Sequence, residues 1–261
     1  MNITKRLKSN LVFAGTLLLT LFCFVAEAPS ARAAKIDNAR IFPFWAGGGG
    51  WESTITLINV FESDIGYRLS FYGSNGQPAL VSYRTADGRV IAANTIQGNL
   101  GDDSSAVFVL IDSGALQTGW ARLDYDGESR IGGVLSFRQR VEGRPDFESS
   151  VTLTREDETP VYIPFDNTLG SVTTLAITNP SADESNNLQL RFWDPTGREI
   201  ITRNITISAS TTTAFSLPEQ YPELVERSGQ LRIQGTSGSL ATLALRFNGS
   251  GAFSTVPVAT R

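Results

Sequence analysis

Two stretches of this chain read alike and stand 121 positions apart: Ile41-Phe42-Pro43-Phe44 and Tyr162-Ile163-Pro164-Phe165. Each leads through a short glycine-containing segment into an apolar run closed by asparagine. These runs are Thr54-Ile55-Thr56-Leu57-Ile58-Asn59 and Thr173-Thr174-Leu175-Ala176-Ile177-Thr178-Asn179. Further landmarks follow in the same order. Leu69 to Gly76 answers Leu190 to Gly197, Gly119-Trp120-Ala121-Arg122-Leu123 answers Gly229-Gln230-Leu231-Arg232-Ile233, and Phe147 to Arg155 answers Phe253 to Arg261. The spacing shrinks from 121 to 110 and then to 106, so the first copy carries about eleven extra residues between Gly76 and Gly119 and about four more near residues 140–144. An ordered internal repeat constrains the fold more than composition does, because each copy is a unit with its own apolar rows to bury.

Those rows have a period of two. Tyr67, Leu69 and Phe71 alternate with Arg68, Ser70 and Tyr72; Ile201, Ile205 and Ile207 form a similar row around Arg203; Leu243, Leu245 and Phe247 alternate with Thr242, Ala244 and Arg246. Alternation puts one row inward on a strand. The run Val107 to Ile111 is apolar throughout and predicts a strand buried on both faces. Asn75-Gly76, Asp87-Gly88, Asp126-Gly127, Asp194-Pro195-Thr196-Gly197 and Asn248-Gly249 supply the positive φ angles of tight hairpins. Many short strands between such turns indicate a sandwich or a barrel; with the repeat, the expected fold is all-β, two tandem antiparallel β-sandwiches. Pro222 to Arg227 is the one segment with a helical signature, proline in its first turn and Gly229 near its end. The predicted organisation is an export segment over 1–33, a first sandwich over 34–155, an acidic linker over 156–161 and a second sandwich over 162–261. The second copy carries a full set of strands and is expected to fold alone.

The first 33 residues have the build of a secretory signal: basic Lys5, Arg6 and Lys8, an uncharged run from Leu11 to Val25, and Ala31-Arg32-Ala33 before Ala34. Phe22 precedes Cys23 where a lipoprotein site needs a small residue, so Cys23 leaves with the signal. The chain is expected to be exported, to the periplasm, the cell surface or the medium, with no membrane span after cleavage. Taking Lys5, Arg6, Lys8 and Arg32 from the 22 basic residues and Glu27 from the 26 acidic ones leaves 18 against 25. That acidic balance argues against nucleic acid as a partner.

The same removal leaves neither cysteine nor histidine. A Ser-His-Asp triad, a cysteine nucleophile and a zinc site of the usual ligands are therefore excluded. Gly47-Gly48-Gly49-Gly50 lacks the lysine of a phosphate cradle and reads as a flexible or close-packed loop. Glycoside hydrolysis needs a carboxylate pair. The available acids, Asp102/Asp103, Asp124/Asp126/Glu128, Asp146/Glu148 and Glu156/Asp157/Glu158, sit in apparent turns or the linker, where solubility and turn hydrogen bonds explain them. Asp124-Tyr125-Asp126-Gly127-Glu128 opens like a calcium loop but lacks its later acidic ligand. Asp166-Asn167 is a weaker candidate. No catalytic residue, no cofactor and no metal ligand is assigned. Arg122, Arg138, Arg191, Arg232 and Arg246 fall in strand runs, their stems over apolar surface and their heads available to the acids.

Trp45 and Trp51 flank the glycine run and are the candidate ligand-binding residues, since exposed aromatic faces stack on sugars. Packing is nonetheless the expected role, with Trp51 the more buried because it abuts the Glu52–Val60 strand. Trp120 and Trp193 lie inside strand patterns and read as packing residues.

Phe42-Pro43-Phe44, Gly49-Gly50-Trp51, Leu116 to Arg122, Phe137-Arg138-Gln139-Arg140, Arg144 to Glu148, Pro164-Phe165-Asp166-Asn167 and Leu245 to Gly249 together resemble a family of uncharacterised exported bacterial proteins. That family is built from tandem immunoglobulin-like β-sandwich domains, and the resemblance covers residues 41–261. It implies the fold and the export. It implies no activity, ligand or catalytic residue. The expected function is a non-enzymatic exported module for surface interaction or structure, with an unknown protein or polysaccharide partner. The alternatives are a carbohydrate-binding protein using Trp45 and Trp51, or a periplasmic chaperone-like two-domain protein that works by strand addition.

Overall fold

Alternation decides the first strands as expected. Leu69 and Phe71 are buried, Arg68 is exposed, and the segment is extended from Ile65 to Gly73. The computed structural model describes residues 36–111, 114–126, 131–155, 159–235 and 240–260. The export segment, Gly127 of the expected Asp126-Gly127 turn, Glu128 and the linker acids Glu156, Asp157 and Glu158 lie outside them. The strands are β1 (Ile36–Gly47), β2 (Trp51–Asn59), β3 (Ile65–Gly73), β4 (Val81–Thr85), β5 (Val90–Ala93), β6 (Thr95–Leu100), β7 (Ser105–Leu110), β8 (Gln117–Asp126), β9 (Ile131–Gln139) and β10 (Phe147–Thr152). After the linker come β11 (Val161–Asp166), β12 (Val172–Thr178), β13 (Asn186–Trp193), β14 (Glu199–Ile207), β15 (Thr212–Ser216), the short helix α1 (Leu217–Gln220), β16 (Ser228–Gly235), β17 (Ala241–Phe247), β18 (Phe253–Val256) and β19 (Ala259–Thr260).

The strands make four antiparallel sheets. Two have the orders β1-β8-β3-β6 and β10-β9-β2-β7-β4-β5; the other two are β14-β13-β16-β11-β19 and β15-β12-β17-β18. Read outward from β11 and from β18, the second pair repeats the first strand for strand. The additions are β19 at one edge and the β4–β5 hairpin at another. That hairpin occupies the eleven-residue excess between Gly76 and Gly119. In the first half Phe42, Leu69, Phe71 and Leu123 of one sheet pack against Ile55, Leu57, Leu135 and Phe137 of the other. In the second half Ile163, Leu190, Phe192 and Leu231 meet Leu175, Ile177 and Ala244, with Leu217 of α1 sealing one end.

The repeated asparagine shows how closely the halves match. Asn59 is buried, and its Nδ2 donates to the carbonyls of Ser63, Leu100 and Gly101 at 2.7–3.2 Å while its Oδ1 accepts from the Phe61 N–H. Asn179 donates likewise to Glu184, Ile207 and Ser208, and accepts from the Ser181 N–H. Each asparagine thus ties a strand end to two loops whose buried carbonyls would otherwise lack donors.

Four hairpins close by one geometry. The N–H groups of Gly73, Thr85, Asp194 and Asn248 donate to the carbonyl four residues on. Three residues on from each, Gly76, Gly88, Gly197 and Gly251 take φ between 80° and 85°. This is the three-residue loop with a left-handed glycine. At the last site the left-handed residue is Gly251, not the expected Gly249, because Asn248 Oδ1 caps the N–H groups of Ser250 and Ala252 and widens the turn. The expected helix is smaller than its signature. Residues Pro222–Leu224 form a single 3₁₀ turn, and α1 precedes it.

Two strand readings are corrected. In β7 only Phe108 and Leu110 are fully buried, and Val107 and Val109 face a partly open surface. Strands buried on both faces are β17 and the second half of β12, where Ala176 joins one core and Leu175 and Ile177 the other. Ala244 of β17 faces the core of its own half, whereas Leu243 and Leu245 join the core of the first half together with Ala176 and Phe253. The joint is therefore apolar and continuous. Thr178 Oγ1 donates to the Pro43 carbonyl at 2.6 Å and the Trp120 indole to the Ser210 carbonyl at 2.7 Å. Ser149 and Thr255 bond where the edges β10 and β18 meet.

Candidate functional site

The glycine run is a close-packed turn. Gly48 and Trp51 exchange both backbone hydrogen bonds, at 3.0 and 2.9 Å, and Gly49 and Gly50 between them have φ of 58° and 88°. Positive φ at both central residues is the tight hairpin geometry that glycine fits best. A Cβ on Gly48 would lie 2.5 Å from the Ala115 carbonyl oxygen, and one on Gly50 would lie 2.8 Å from that of Arg140. Glycine is needed here for backbone approach as well as for φ.

The turn separates the two candidate tryptophans. Trp45 is 2% exposed, donates its indole N–H to the Trp120 carbonyl at 3.1 Å and meets Phe71 edge-on at 6.4 Å. Trp51 is half-buried, tilted against Phe253 at 5.2 Å. The expected order of burial is thus reversed. The cause is a bulge in β1 between Phe42 and Trp45, where the register against β8 shifts by one residue. A one-residue slip exchanges the faces of all that follows. Phe44, matched to Phe165 by sequence, turns outward, and Trp45 takes the core position that Phe165 holds in the second half. The partner rings agree: Phe165 meets Phe192 edge-on at 5.7 Å as Trp45 meets Phe71. So does the hydroxyl beside them, since Ser53 Oγ bonds the backbone of Ala46 as Thr173 Oγ1 bonds that of Asp166.

Trp51 stands between two depressions. One, of about 360 Å³, opens between the halves and is lined mainly by apolar side chains, among them Phe44, Phe137, Leu116, Phe215 and Leu245. The edge strand β15 borders it through Ala214, Phe215 and Ser216. The other, of about 560 Å³, lies over β2 and the β4–β5 hairpin and adds Glu52, Ser82, Arg84, Val90 and Arg140. Its charges are largely matched. Glu52 accepts from Arg140 at 3.1 Å and lies 3.8 Å from Arg138, which also holds Asp146 at 2.6 Å and Glu148 at 3.7 Å. Asp146 and its neighbouring acids raise the Arg138 pKa further. Sequence reading missed Arg84, Phe253 and β15 as parts of this surface. Only Phe253, in the matched Phe147/Phe253 pair, carried a signal.

The other candidate acids serve local structure. Asp124 accepts from Arg122 at 2.8 Å, while Asp102 and Asp103 are exposed at a loop tip. Asp166 accepts from Thr168 and lies 3.4 Å from Arg246; the Thr168 hydroxyl first, then its N–H, draws the Asp166 pKa down. Asn167 is buried between the Leu224 carbonyl and the Thr173 N–H. Hydrogen bonds from Thr85, Thr196 and Arg191 are the leading causes that lower Asp87, Asp194 and Glu199. These four carboxylates, the ones with displaced pKa values among the described residues, all move away from what a general acid requires. Among the described residues no cluster of three or more potential metal ligands is present, and no helix is long and apolar enough to cross a membrane. Trp193, read as packing, is half-exposed with the Arg191 guanidinium 5.0 Å from its ring centre.

No family model matches the chain, and neither a curated protein nor a solved structure matches it.

Proposed function

We propose that this chain is an exported, non-catalytic interaction or structural module, built by duplication of an immunoglobulin-like sandwich. The recurrence of one strand order in both halves supports the duplication. The observation that carries the function is how the reactive side chains are used. Glu52, Asp146 and Glu148 pair with Arg138 and Arg140 beside Trp51, while the depression between the halves is lined mainly by aromatic and apolar side chains. An apolar surface of that kind marks an interaction site. The second reading, carbohydrate binding, rests on Trp51 alone, because Trp45 has no free face.

Affinity electrophoresis of residues 34–261 through gels containing cell-wall or plant polysaccharides separates the two. Unretarded migration, together with no turnover of chromogenic glycosides and esters, is the expected result. Retardation that Trp51→Ala removes would establish the carbohydrate reading. Turnover that Glu52→Gln or Asp146→Asn abolishes would overturn both.

A further inference from the structure

One part of the surface on which the second half docks is built from a few residues of the first. Pro43 lies on β1, Tyr72 at the end of β3, Trp120 on β8, and the turn Ser74–Gly76 beside them. Tyr72 stacks on Trp120 at 4.3 Å and 13°. The tip of the β14–β15 loop inserts there: the Ser210 carbonyl accepts from the Trp120 indole, and the Thr212 N–H donates to the Ser74 carbonyl at 3.2 Å. Gly76 sits so close that a Cβ on it would lie 2.8 Å from the Ser210 oxygen.

The matching surface of the second half is open. Its positions are Pro164 for Pro43, Trp193 for Tyr72, Gln230 for Trp120, and Pro195–Gly197 for the turn. Pro43 and Trp120 are buried, whereas Pro164 and Gln230 are exposed, and a Cβ on Gly197 would meet nothing within 4 Å. Together these residues line a groove of about 860 Å³. Arg232 lines it too; one of its terminal nitrogens donates to Gln234 Oε1, and its buried Nε has no hydrogen-bond partner among the described residues. Among the described residues Asp194 is the acid in the lining, and it is engaged by Thr196 and the Arg198 N–H.

The loop matching Ser208–Thr211 in the first half is Gly101–Ser104. The Ser104 carbonyl accepts from the Asn59 N–H as Thr211 does from Asn179, and Asp103 (φ 50°) shares the left-handed backbone of Ser210 (φ 58°). Where Ser210 is neutral and covered, Asp102 and Asp103 are charged and exposed. We propose that the Trp193–Pro164 groove of one chain receives the Gly101–Ser104 loop of a second copy. Copies then join head to tail through the loop contact alone, without the apolar face of Leu243 and Leu245 that also joins the halves within a chain. Gln230 supplies an amide donor where Trp120 supplies an indole, and Arg232 faces the carboxylates that replace the neutral Ser210 tip. The inference rests on reading the halves as repeats of one unit. Such a contact pairs unlike surfaces, so each added copy leaves one groove and one loop free, and the assembly grows as an open row.

Sedimentation velocity of residues 34–261 over a concentration series, at low and high salt, tests this. The expected result is association that grows with concentration and weakens with salt. Asp102→Arg and Pro164→Glu alter exposed residues and should keep the wild-type melt, yet each alone sets like charges in the contact and should weaken association by about tenfold or more. Mixed together they should associate again. The unaltered groove then meets the unaltered loop, and the loop variant's arginine meets the groove variant's glutamate. A wild-type chain that stays monomeric at every concentration, a variant that associates as the wild type does, or a mixture that stays monomeric would overturn the proposal. None of these results bears on sugar retardation or substrate turnover, so the proposal and the functional reading fail separately.

Discussion

At the scale of single residues the two candidate tryptophans part company, and their stabilities should show it. Trp45→Ala empties a closed aromatic site and should cost about 3–5 kcal/mol in urea unfolding. Trp51→Ala, with one face already in water, should cost less than half of that. Acrylamide should quench Trp51 and spare Trp45; equal costs and equal quenching would contradict the bulge-driven exchange of faces. The paired asparagines give a second prediction. Replacing Asn59 or Asn179 by alanine strands buried carbonyls, each worth about 1–3 kcal/mol when left without a donor. The two substitutions should therefore destabilise by similar amounts. Asn179→Asp should be worse at neutral pH, since a carboxylate has no N–H to give, and partly recover when acid protonates it. Markedly unequal costs at the two sites would mean that the matched asparagines do different work.

At the scale of elements, the hairpins predict their own tolerance. Gly88→Ala meets open space and should cost only the left-handed strain of about 1–2 kcal/mol. Gly76→Ala has the same φ but drives a Cβ into the Ser210 carbonyl, so it should cost more and loosen the joint; thermal melts of the two variants compare them. Much of this level was legible in the sequence. The asparagine landmarks, the turns at Gly76, Gly88 and Gly197 and the eleven-residue excess fell where strand ends, hairpins and the β4–β5 insertion stand. What stayed hidden has a common cause. Alternation shows that Leu243, Leu245 and Phe247 share a face, but not whether that face meets their own sandwich or a neighbour. Likewise, matching Phe44 to Phe165 by letter cannot reveal a bulge, because the extra residue is absorbed in backbone geometry and flips the faces without disturbing the motif. Trp193 was misread for the same reason: its pattern is that of a strand, and exposure depends on what docks there.

The whole molecule carries two further predictions. With no histidine in the chain, no side chain of ordinary pKa titrates between pH 5 and 8. Asp166, Asp194 and Glu199 have folded pKa values below their unfolded ones. Their contribution is thus complete above the ordinary carboxylate range, near pH 4, and is lost as the pH falls through the lowered values. Being surface groups, they contribute little each and less at high salt. Urea midpoints should be flat from pH 5 to 8 and fall below about pH 4; a slope between pH 6 and 8 would contradict this. The second prediction concerns the halves apart. Residues 159–261 hold a complete core drawn from both of their sheets, so the fragment should fold and keep its strands by circular dichroism. It also uncovers Ala176, Leu243, Leu245 and Phe253, which the first half buries. A leucine returned to water forfeits about 1.5–3 kcal/mol, and four neighbouring apolar side chains form a patch that associates. The free fragment should therefore sediment as a dimer or larger, and Leu243→Ser with Leu245→Ser should return it to a folded monomer. A fragment that is disordered in amide exchange would instead mean that the two halves fold only as one body.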